Sequence, residues 1–322
     1  MNSKSVLRDN VKSILSKPEI NVLLALLALC IALSFASPFF LTPKNILNIL
    51  RQSSLIAILA VGQGMIILTG GIDLSVGSIV GFTACLGAWV AKAGAPPELT
   101  LIAMLAAGAA VGLANGTLVT KVGIPPFIAT LGMMSITRGF SLLITMGVPI
   151  HYDDTWISVF GGGYIGIVPA SVIVMVFIVI IGFIFANNTT LGRSIYAVGD
   201  SEKAAKLSGI RVDRVKIMVF SITGLLGGIC GLILMGQLAG SDAFYGNGYE
   251  LDVIAAAVIG GISLRGGEGN LLGIIVGAAL MGVLKNAFVL LAVPGYWQTV
   301  AIGVVIVAAV SIDSLRRKKA LK

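Results

Sequence analysis

The chain has 322 residues, of which 57% are apolar and 11% are charged, and its mean hydropathy is +1.02. These values lie well outside the range of soluble domains, so they exclude a soluble globular protein and predict an all-helical polytopic membrane protein. The 41 glycines fit this class, because small residues let membrane helices pack closely.

Ten apolar segments are candidates for membrane helices, since a crossing needs about 20 mainly apolar residues. They lie near residues 20–40, 53–71, 76–94, 99–119, 126–146, 165–186, 216–239, 251–264, 270–292 and 296–313. The first is too long for a signal peptide and lacks a small-residue cleavage site, so we expect it to be retained. The eighth is too short to cross comfortably, which predicts a half-helix or re-entrant segment, and nine crossings remain the alternative.

The basic residues predict the orientation of these segments. With the N-terminus in the cytoplasm, seventeen of the 22 basic residues fall inside and three outside, while the outer loops are acidic. This asymmetry predicts that both termini are cytoplasmic. The predicted organisation is a cytoplasmic tail at 1–19, a transmembrane domain at 20–313 and a basic cytoplasmic tail at 314–322. The net charge of +8 is then a topological signal, and no nucleic-acid partner is indicated.

Motifs for catalysis, metal binding and nucleotide binding are missing from the sequence. The three cysteines lie in apolar segments without ligand-like spacing, which indicates packing residues. The single histidine, His151, lies in a predicted outer loop, and there is no phosphate-loop or zinc motif. We therefore expect no catalytic residue, metal or cofactor in this chain. If ATP drives its activity, ATP must bind to another subunit.

One hydrophilic stretch, residues 191–215, interrupts the membrane segments on the cytoplasmic side. It contains five basic residues, and Lys216 follows directly. Asp200 or Ser201 can cap a helix of about two turns, and Gly209 can end it in a left-handed conformation. A helix this short is marginal in water. It is either a surface turn held by its flanks or a lever that rests in a groove of a partner.

Four motifs carry a resemblance to a known family. They are Glu202 to Gly209 (EKAAKLSG), Ile66 to Ser78 (IILTGGIDLSVGS), Pro125 to Gly132 (PPFIATLG), and the pair Tyr249 to Asp252 (YELD) and Gly260 to Gly267 (GGISLRGG). Together they resemble the permease subunits of bacterial ABC importers for sugars, of the ribose type. The resemblance runs in unbroken order over about residues 40–315.

The resemblance implies a permease, not itself an enzyme, in the cell inner membrane. Its expected partners are cytoplasmic ATP-binding subunits, an extracytoplasmic sugar-binding protein and a second permease copy, with lipids around the helices. Ribose is the first expectation for the substrate, with other monosaccharides as alternatives. The resemblance assigns coupling to the ATPase to residues of the hydrophilic stretch, which are Glu202, Lys203, Ala204, Ala205, Lys206 and Gly209.

Two glycine pairs predict helix breaks. Gly70 and Gly71 lie at the end of the second apolar segment, and Gly260 and Gly261 lie near the end of the eighth in the same Gly-Gly-Ile-x-Leu pattern. This suggests a diverged internal repeat, as transporter folds often contain. The charge map places both breaks on the cytoplasmic side. Asp73 in the first break is either a helix cap or a residue of the gate or pathway.

Polar residues within the membrane segments are costly and usually face the bundle interior or a cavity. We expect a role in translocation or gating for Gln63, Asp73, Asn115, Arg138 and Asn286. Hydrogen bonding between helices is the alternative explanation for the amides, and Gln237, Lys285 and Gln298 are further polar residues of this kind. Arg138 lies near the middle of its segment and most needs a partner.

Two other classes of protein are compatible with a polytopic chain. An ion-coupled secondary transporter usually needs a titratable group in the middle of the membrane, and Asp73 is the only buried acidic candidate. A membrane-embedded enzyme needs a nucleophile, a metal or an acid–base pair, and the sequence contains no such arrangement.

Overall fold

The computed structural model describes residues 18–152 and 155–320, which form a mostly helical bundle. The larger part of the predicted N-terminal tail and the last two residues of the chain lie outside the described part. The helices are α1 (Pro18–Ala36), α2 (Pro43–Leu68), α3 (Val76–Lys92), α4 (Pro97–Thr117), α5 (Pro126–Thr145), α6 (Thr155–Gly161), α7 (Ala170–Asn188), α8 (Thr190–Asp200), α9 (Glu202–Leu207), α10 (Val212–Leu238), α11 (Tyr249–Ile259), α12 (Leu271–Leu290) and α13 (Gly295–Ala320).

Each of the ten predicted apolar segments coincides with one of these helices. Within the described residues, six helices are long and apolar enough to cross a membrane, namely α2, α4 with its π-helical extension Leu118–Val122, α5, α7, α10 and α12. Helices α1, α3 and α13 contribute shorter apolar stretches. Helix α11 has 11 residues, as expected for the short eighth segment. The chain is therefore a polytopic membrane protein.

Local sequence explains where several helices begin. Proline occupies the first turn of α2, α4 and α5, where its fixed φ suits a helix and its missing N–H costs nothing. In α9, the side chain of Ser201 accepts a hydrogen bond from the backbone N–H of Ala204 at 3.3 Å. Ser201 is thus the cap, whereas Asp200 ends α8.

Helix α2 is the centre of the bundle. Its residues 53–68 are all buried, and it packs against α7, α10, α11 and α12. Helices α4 and α10 approach most closely through glycines: a Cβ on Gly108 would meet the backbone of Gly224, and one on Gly112 would meet that of Phe220. Such close backbone approach provides van der Waals contact between helices where lipid removes the hydrophobic drive for association.

Two small antiparallel pairs of strands lie between the helices. Strand β1 (Ile150–His151) pairs with β4 (Gly240–Ser241), and β2 (Tyr164–Ile165) pairs with β3 (Val168–Pro169). The first pair places the segment after α5 beside the end of α10. It therefore fixes one end of the bundle.

The hydrophilic stretch contains more helix than the sequence predicted. Its first half forms α8, with Ile195 and Val198 buried against the main core, and its second half forms the six-residue α9. Gly209 has φ of +82°, so the predicted left-handed stop is present. The buried α8 holds α9 against the bundle.

Candidate transport pathway and coupling surface

The break between α2 and α3 is held by a buried polar network. Asp73 is completely buried, and its Oδ1 accepts hydrogen bonds from the backbone N–H of Ser75 at 2.7 Å and from its hydroxyl at 2.6 Å. The Ser75 hydroxyl in turn accepts from the Nδ2 of Asn115 at 2.8 Å. The amide of Gln63, oriented to match its partners, donates to the Asp73 carbonyl and accepts from its N–H, both at 3.2 Å. Three predicted pathway residues, Gln63, Asp73 and Asn115, thus form one cluster.

The same break is tied to α5. The backbone N–H of Leu74 donates to the hydroxyl of Thr130 at 3.1 Å, and the Thr137 hydroxyl donates to that of Ser78 at 2.7 Å. Each bond satisfies a polar group that lipid could not hydrogen-bond. The non-helical backbone at residues 69–75 is therefore enclosed by α2, α4 and α5.

The second break packs directly against the first. Gly261 has φ of +96° and ends α11, and the backbone N–H of Gly267 donates to the carbonyl of Leu68 at 2.9 Å. Gly199 of α8 lies against both of these backbone segments. A Cβ at this position would overlap both Leu68 and Gly267. The two predicted breaks and the hydrophilic stretch thus share one end of the bundle, which we call the break end.

Helix α9 forms an exposed ridge at the break end. Ala205 is 3% exposed and belongs to the main core, while Glu202, Lys203, Ala204, Lys206 and Gly209 are exposed. Leu207, at the end of α9, is 90% exposed. We call residues 202–209 the coupling surface. Sequence analysis did not single out Leu207, although a large apolar residue inside a basic hydrophilic stretch is a recognisable signal.

One ion pair joins α9 to α10, and two others lie beside it. Glu202 accepts from Lys216 at 2.8 Å and from Lys206 at 3.1 Å, and the hydrogen bond from Lys216 is the main reason why the pKa of Glu202 lies below its ordinary value. Lys121 pairs with Asp213 at 2.7 Å on the neighbouring turn of α10. Of these pairs, only Glu202–Lys216 joins α9 to α10, and its lysine side chain is 17% exposed. The other two pairs lie within α9 and between α10 and the extension of α4, and such exposed pairs contribute little to stability.

The two remaining predicted pathway residues lie elsewhere. Arg138 donates through Nη1 to the carbonyls of Ala243 and, at 3.1 Å, Tyr245, so it holds the loop after β4. Asn286 forms a reciprocal amide pair with Asn45, at 2.7 and 2.9 Å, between α12 and α2. These two carbonyls are the hydrogen-bond partners that an arginine near the middle of a membrane segment requires. Roles of all five residues in translocation or gating stay a prediction.

A polar cavity of about 300 Å³ lies at the opposite end of the bundle. Its polar lining comes from five helices and consists of Arg51 and Gln52 of α2, Gln237 of α10, Tyr249 of α11, Lys285 of α12 and Gln298 of α13. Leu55, Ile56 and Val289 complete the wall. We call this the polar cavity. None of the five predicted pathway residues is part of its lining.

Charges beside the polar cavity are partly engaged within the protein. Lys285 donates to Asp252, whose side chain is 1% exposed, and the Arg51 guanidinium donates to the Gly162 carbonyl at 3.0 Å and lies 4.5 Å from the centroid of the Tyr164 ring. Asp252 lies in the first turn of α11 and is buried. Among the described residues, no group of three His, Cys, Asp or Glu side chains could hold a metal ion.

The comparisons with known proteins agree with this architecture. The family described as branched-chain amino acid transport system / permease component matches residues 45–310. The chain is 42% identical to the ribose import permease proteins of Bacillus subtilis (strain 168) and Escherichia coli (strain K12), covering 92% of this chain and 92% and 93% of theirs. It is 36% identical to the fructose import permease protein of Rhizobium meliloti, over 94% of this chain and 86% of that protein. No solved structure matches.

This chain therefore belongs to the family of transport-system permease components. The predicted resemblance to ribose-type ABC permeases is confirmed by these similarities. Proteins of this family are permease subunits of ABC importers, and the present chain is one of them.

Proposed function

We propose that this chain forms the membrane pathway of an ATP-driven importer for a neutral monosaccharide, with ribose as the first candidate. The similarity to ribose import permeases over more than nine-tenths of both chains carries this proposal. The family description names branched-chain amino acids, but the most similar curated relatives name sugars. Fructose and other monosaccharides are the alternatives.

ATP is hydrolysed, in this proposal, by separate subunits that dock on the coupling surface. Leu207 is 90% exposed beside basic and acidic side chains, a combination that suits an apolar pocket with a charged rim. Ala205 anchors the same helix in the core, and Gly199 of the adjoining α8 touches both helix breaks. A push on α9 is thereby transmitted to the break at Asp73. ATP is the only nucleotide required, and the permease itself is not an enzyme.

The proposed topology has ten crossings in the inner membrane with both termini in the cytoplasm. It places the break end inside, because the coupling surface lies at that end and the charge pattern of the sequence assigns most basic residues to the cytoplasmic side. The polar cavity then opens towards the outer face, where an extracytoplasmic sugar-binding protein docks. The remaining apolar faces meet lipid and a second permease copy, most simply an identical one.

An ion-coupled secondary transporter is the weaker candidate. Asp73, the acidic candidate that the sequence offered, accepts two hydrogen bonds from Ser75 through Oδ1, and Asp252, which is also buried, is paired with Lys285. Family membership also favours a permease that works with separate ATPase subunits.

Purification of the chain from its native membrane in mild detergent tests the proposal. A co-purifying ATPase, whose activity in liposomes rises with a sugar-loaded binding protein, is the expected result. A panel of ribose, fructose, allose and a branched-chain amino acid then identifies the substrate. Sugar movement by the isolated chain under an ion gradient, without ATP, would overturn it.

A further inference from the structure

The polar cavity has the size and lining of a ligand site. Its volume of about 300 Å³ lies at the lower end of the range for small-molecule pockets. We propose that it binds the transported neutral monosaccharide through the side-chain amides of Gln52, Gln237 and Gln298, as the first contact of the sugar with the permease. This inference rests on the proposed function and assigns the substrate to a specific set of residues.

Unpartnered polar atoms support a hydroxyl-bearing ligand. Among the described residues, Oε1 of Gln52, Nε2 of Gln237 and Nε of Arg51 are buried and have no hydrogen-bond partner. A buried polar atom without a partner is destabilising, so these atoms need a ligand or water. They supply both acceptors and donors. A sugar hydroxyl is at once a donor and an acceptor, and can therefore pair with either kind.

The charges in the wall favour a neutral ligand over an anion. Lys285 is paired with Asp252, and the Arg51 guanidinium is held by the Gly162 carbonyl and the Tyr164 ring. The groups left to face a ligand are then the amides and the Nε of Arg51, which can donate to a hydroxyl oxygen. An anion would compete with Asp252 for Lys285, whereas a polyol leaves this ion pair in place.

The apolar part of the wall suits the other face of a sugar. Leu55, Ile56 and Val289 line the cavity beside Tyr249, which contributes both a ring and a hydroxyl. Monosaccharides present C–H groups on one face and hydroxyls around the edge. The cavity offers apolar surface and polar groups in one small volume, which is the usual composition of a small-ligand site.

Protection of an introduced cysteine tests whether ribose enters the cavity. Val289→Cys places a thiol in the wall at a position that is 64% exposed. Val148→Cys is the matched control, because Val148 is 65% exposed and lies just before β1 at the same end of the bundle, outside the lining. Both are made in the purified full-length protein with Cys30→Ser, since Cys85 and Cys230 are fully buried. A hydrophilic thiol reagent is added with ribose, with inorganic phosphate or with neither.

Ribose should slow the labelling of Val289→Cys about twofold at half occupancy and more at saturation, without affecting Val148→Cys. Adding Gln52→Met or Gln298→Met should raise the ribose concentration needed by about tenfold, while the rate without sugar stays unchanged. A conserved rate without sugar shows that the cavity has kept its shape.

The sugar that the uptake panel identifies replaces ribose where the two differ. Equal labelling with and without that sugar, or protection by phosphate alone, would overturn the inference. These outcomes are distinguishable from failure of the proposed function. The latter is decided by co-purification of an ATPase and by ATP-dependent uptake, neither of which requires labelling at position 289.

Discussion

Gly267 donates its backbone N–H to the carbonyl of Leu68 at 2.9 Å, which joins the two helix breaks of the bundle directly. Leu68 is the last residue of α2, and Gly267 follows the end of α11, so the bond crosses between elements about 200 residues apart. The glycine of α8 at position 199 touches both partners. Movement of α8 and movement of the breaks are therefore mechanically linked.

Gly199→Ala tests this linkage. A methyl group at this position would overlap backbone atoms of Leu68 and Gly267, which cannot rotate away as a side chain could. We expect a loss of stability of about 1–3 kcal/mol and a larger loss of uptake, because the contact between α8 and the breaks must open. Thermal unfolding in detergent and ATP-dependent uptake measure the two effects. The control is Gly303→Ala, where a Cβ meets nothing within 4 Å. Normal uptake by Gly199→Ala would contradict the linkage.

Gly209 provides a test based on backbone conformation alone. Its φ is +82° and a Cβ would meet nothing within 4 Å, so only strain opposes a side chain there. Gly209→Val should shift the end of α9 at a cost of about 1 kcal/mol or more and impair transport, with membrane insertion intact. Gly209→Asn should retain most activity, since asparagine tolerates the left-handed region. Equal uptake by the Val and Asn variants would argue against a role for this turn in coupling.

Leu207 should dominate the docking of an ATPase subunit. It is 90% exposed, so Leu207→Ala removes little packing within this chain. We expect a loss of about 1–3 kcal/mol in association with the ATPase, which is the range for burying a large apolar side chain. Affinity of purified ATPase for the permease in detergent measures it. Leu291→Ala, at a 47% exposed position beyond α12, is the control. Undiminished association would place the docking site elsewhere.

Lys203 is a cleaner probe of charge than Lys206. Lys206 pairs with Glu202 at 3.1 Å, so reversing its charge also disturbs α9 itself. Lys203→Glu should weaken co-purification of the ATPase, and more so at low ionic strength, because the interaction is exposed to salt. Unchanged co-purification at low salt would remove Lys203 from the coupling surface.

Much of the helical framework could be predicted from the sequence, because a membrane helix can be recognised from a local run of apolar residues. The short eighth segment, the two glycine breaks and the stop at Gly209 were all visible as local patterns. Helix α8 was not predicted, because its residues mix charged and apolar types and its stability comes from burying Ile195 and Val198. Local propensity alone does not contain that information.

The polar cavity shows what local patterns could not supply. Gln237, Lys285 and Gln298 were recognised as polar membrane residues, yet only the packing of five helices reveals that they share one wall. Arg51 and Tyr249 contribute to the same lining, which no local pattern around either residue indicates. The Asn45–Asn286 pair likewise joins positions 241 residues apart. The sequence around neither asparagine indicates that the two side chains are in contact.

The Glu202–Lys216 pair predicts a pH dependence at the coupling surface. The hydrogen bond from Lys216 holds the pKa of Glu202 below its ordinary value. The contribution of the Glu202–Lys216 pair to the docking of α9 is therefore fully present at pH values above the ordinary pKa of a glutamate. It is lost as the pH falls through the lowered pKa. The protection of the α9 amides, which is their exchange rate relative to that of an unstructured peptide at the same pH, should fall over this acidic range. In Glu202→Gln, the α9 amides should be less protected at neutral pH, and their protection should show no such transition. Identical pH profiles of protection in the parent and the variant would exclude a role for the pair in holding α9.

Asp73 can be assigned to structure or to the pathway by comparing two variants. Its Oδ1 accepts both hydrogen bonds from Ser75, so Asp73→Asn can keep these contacts while losing the charge. Asp73→Ala loses both contacts and leaves the Ser75 groups unpaired in a buried site. We expect a destabilisation of about 1–3 kcal/mol for Ala and less for Asn. Uptake by the Asn variant, normalised to the amount of assembled permease–ATPase complex, should stay within about twofold of the parent if Asp73 only stabilises the break between α2 and α3. If Asp73→Asn assembles normally but no longer transports, its charge acts in gating and the network moves during the cycle.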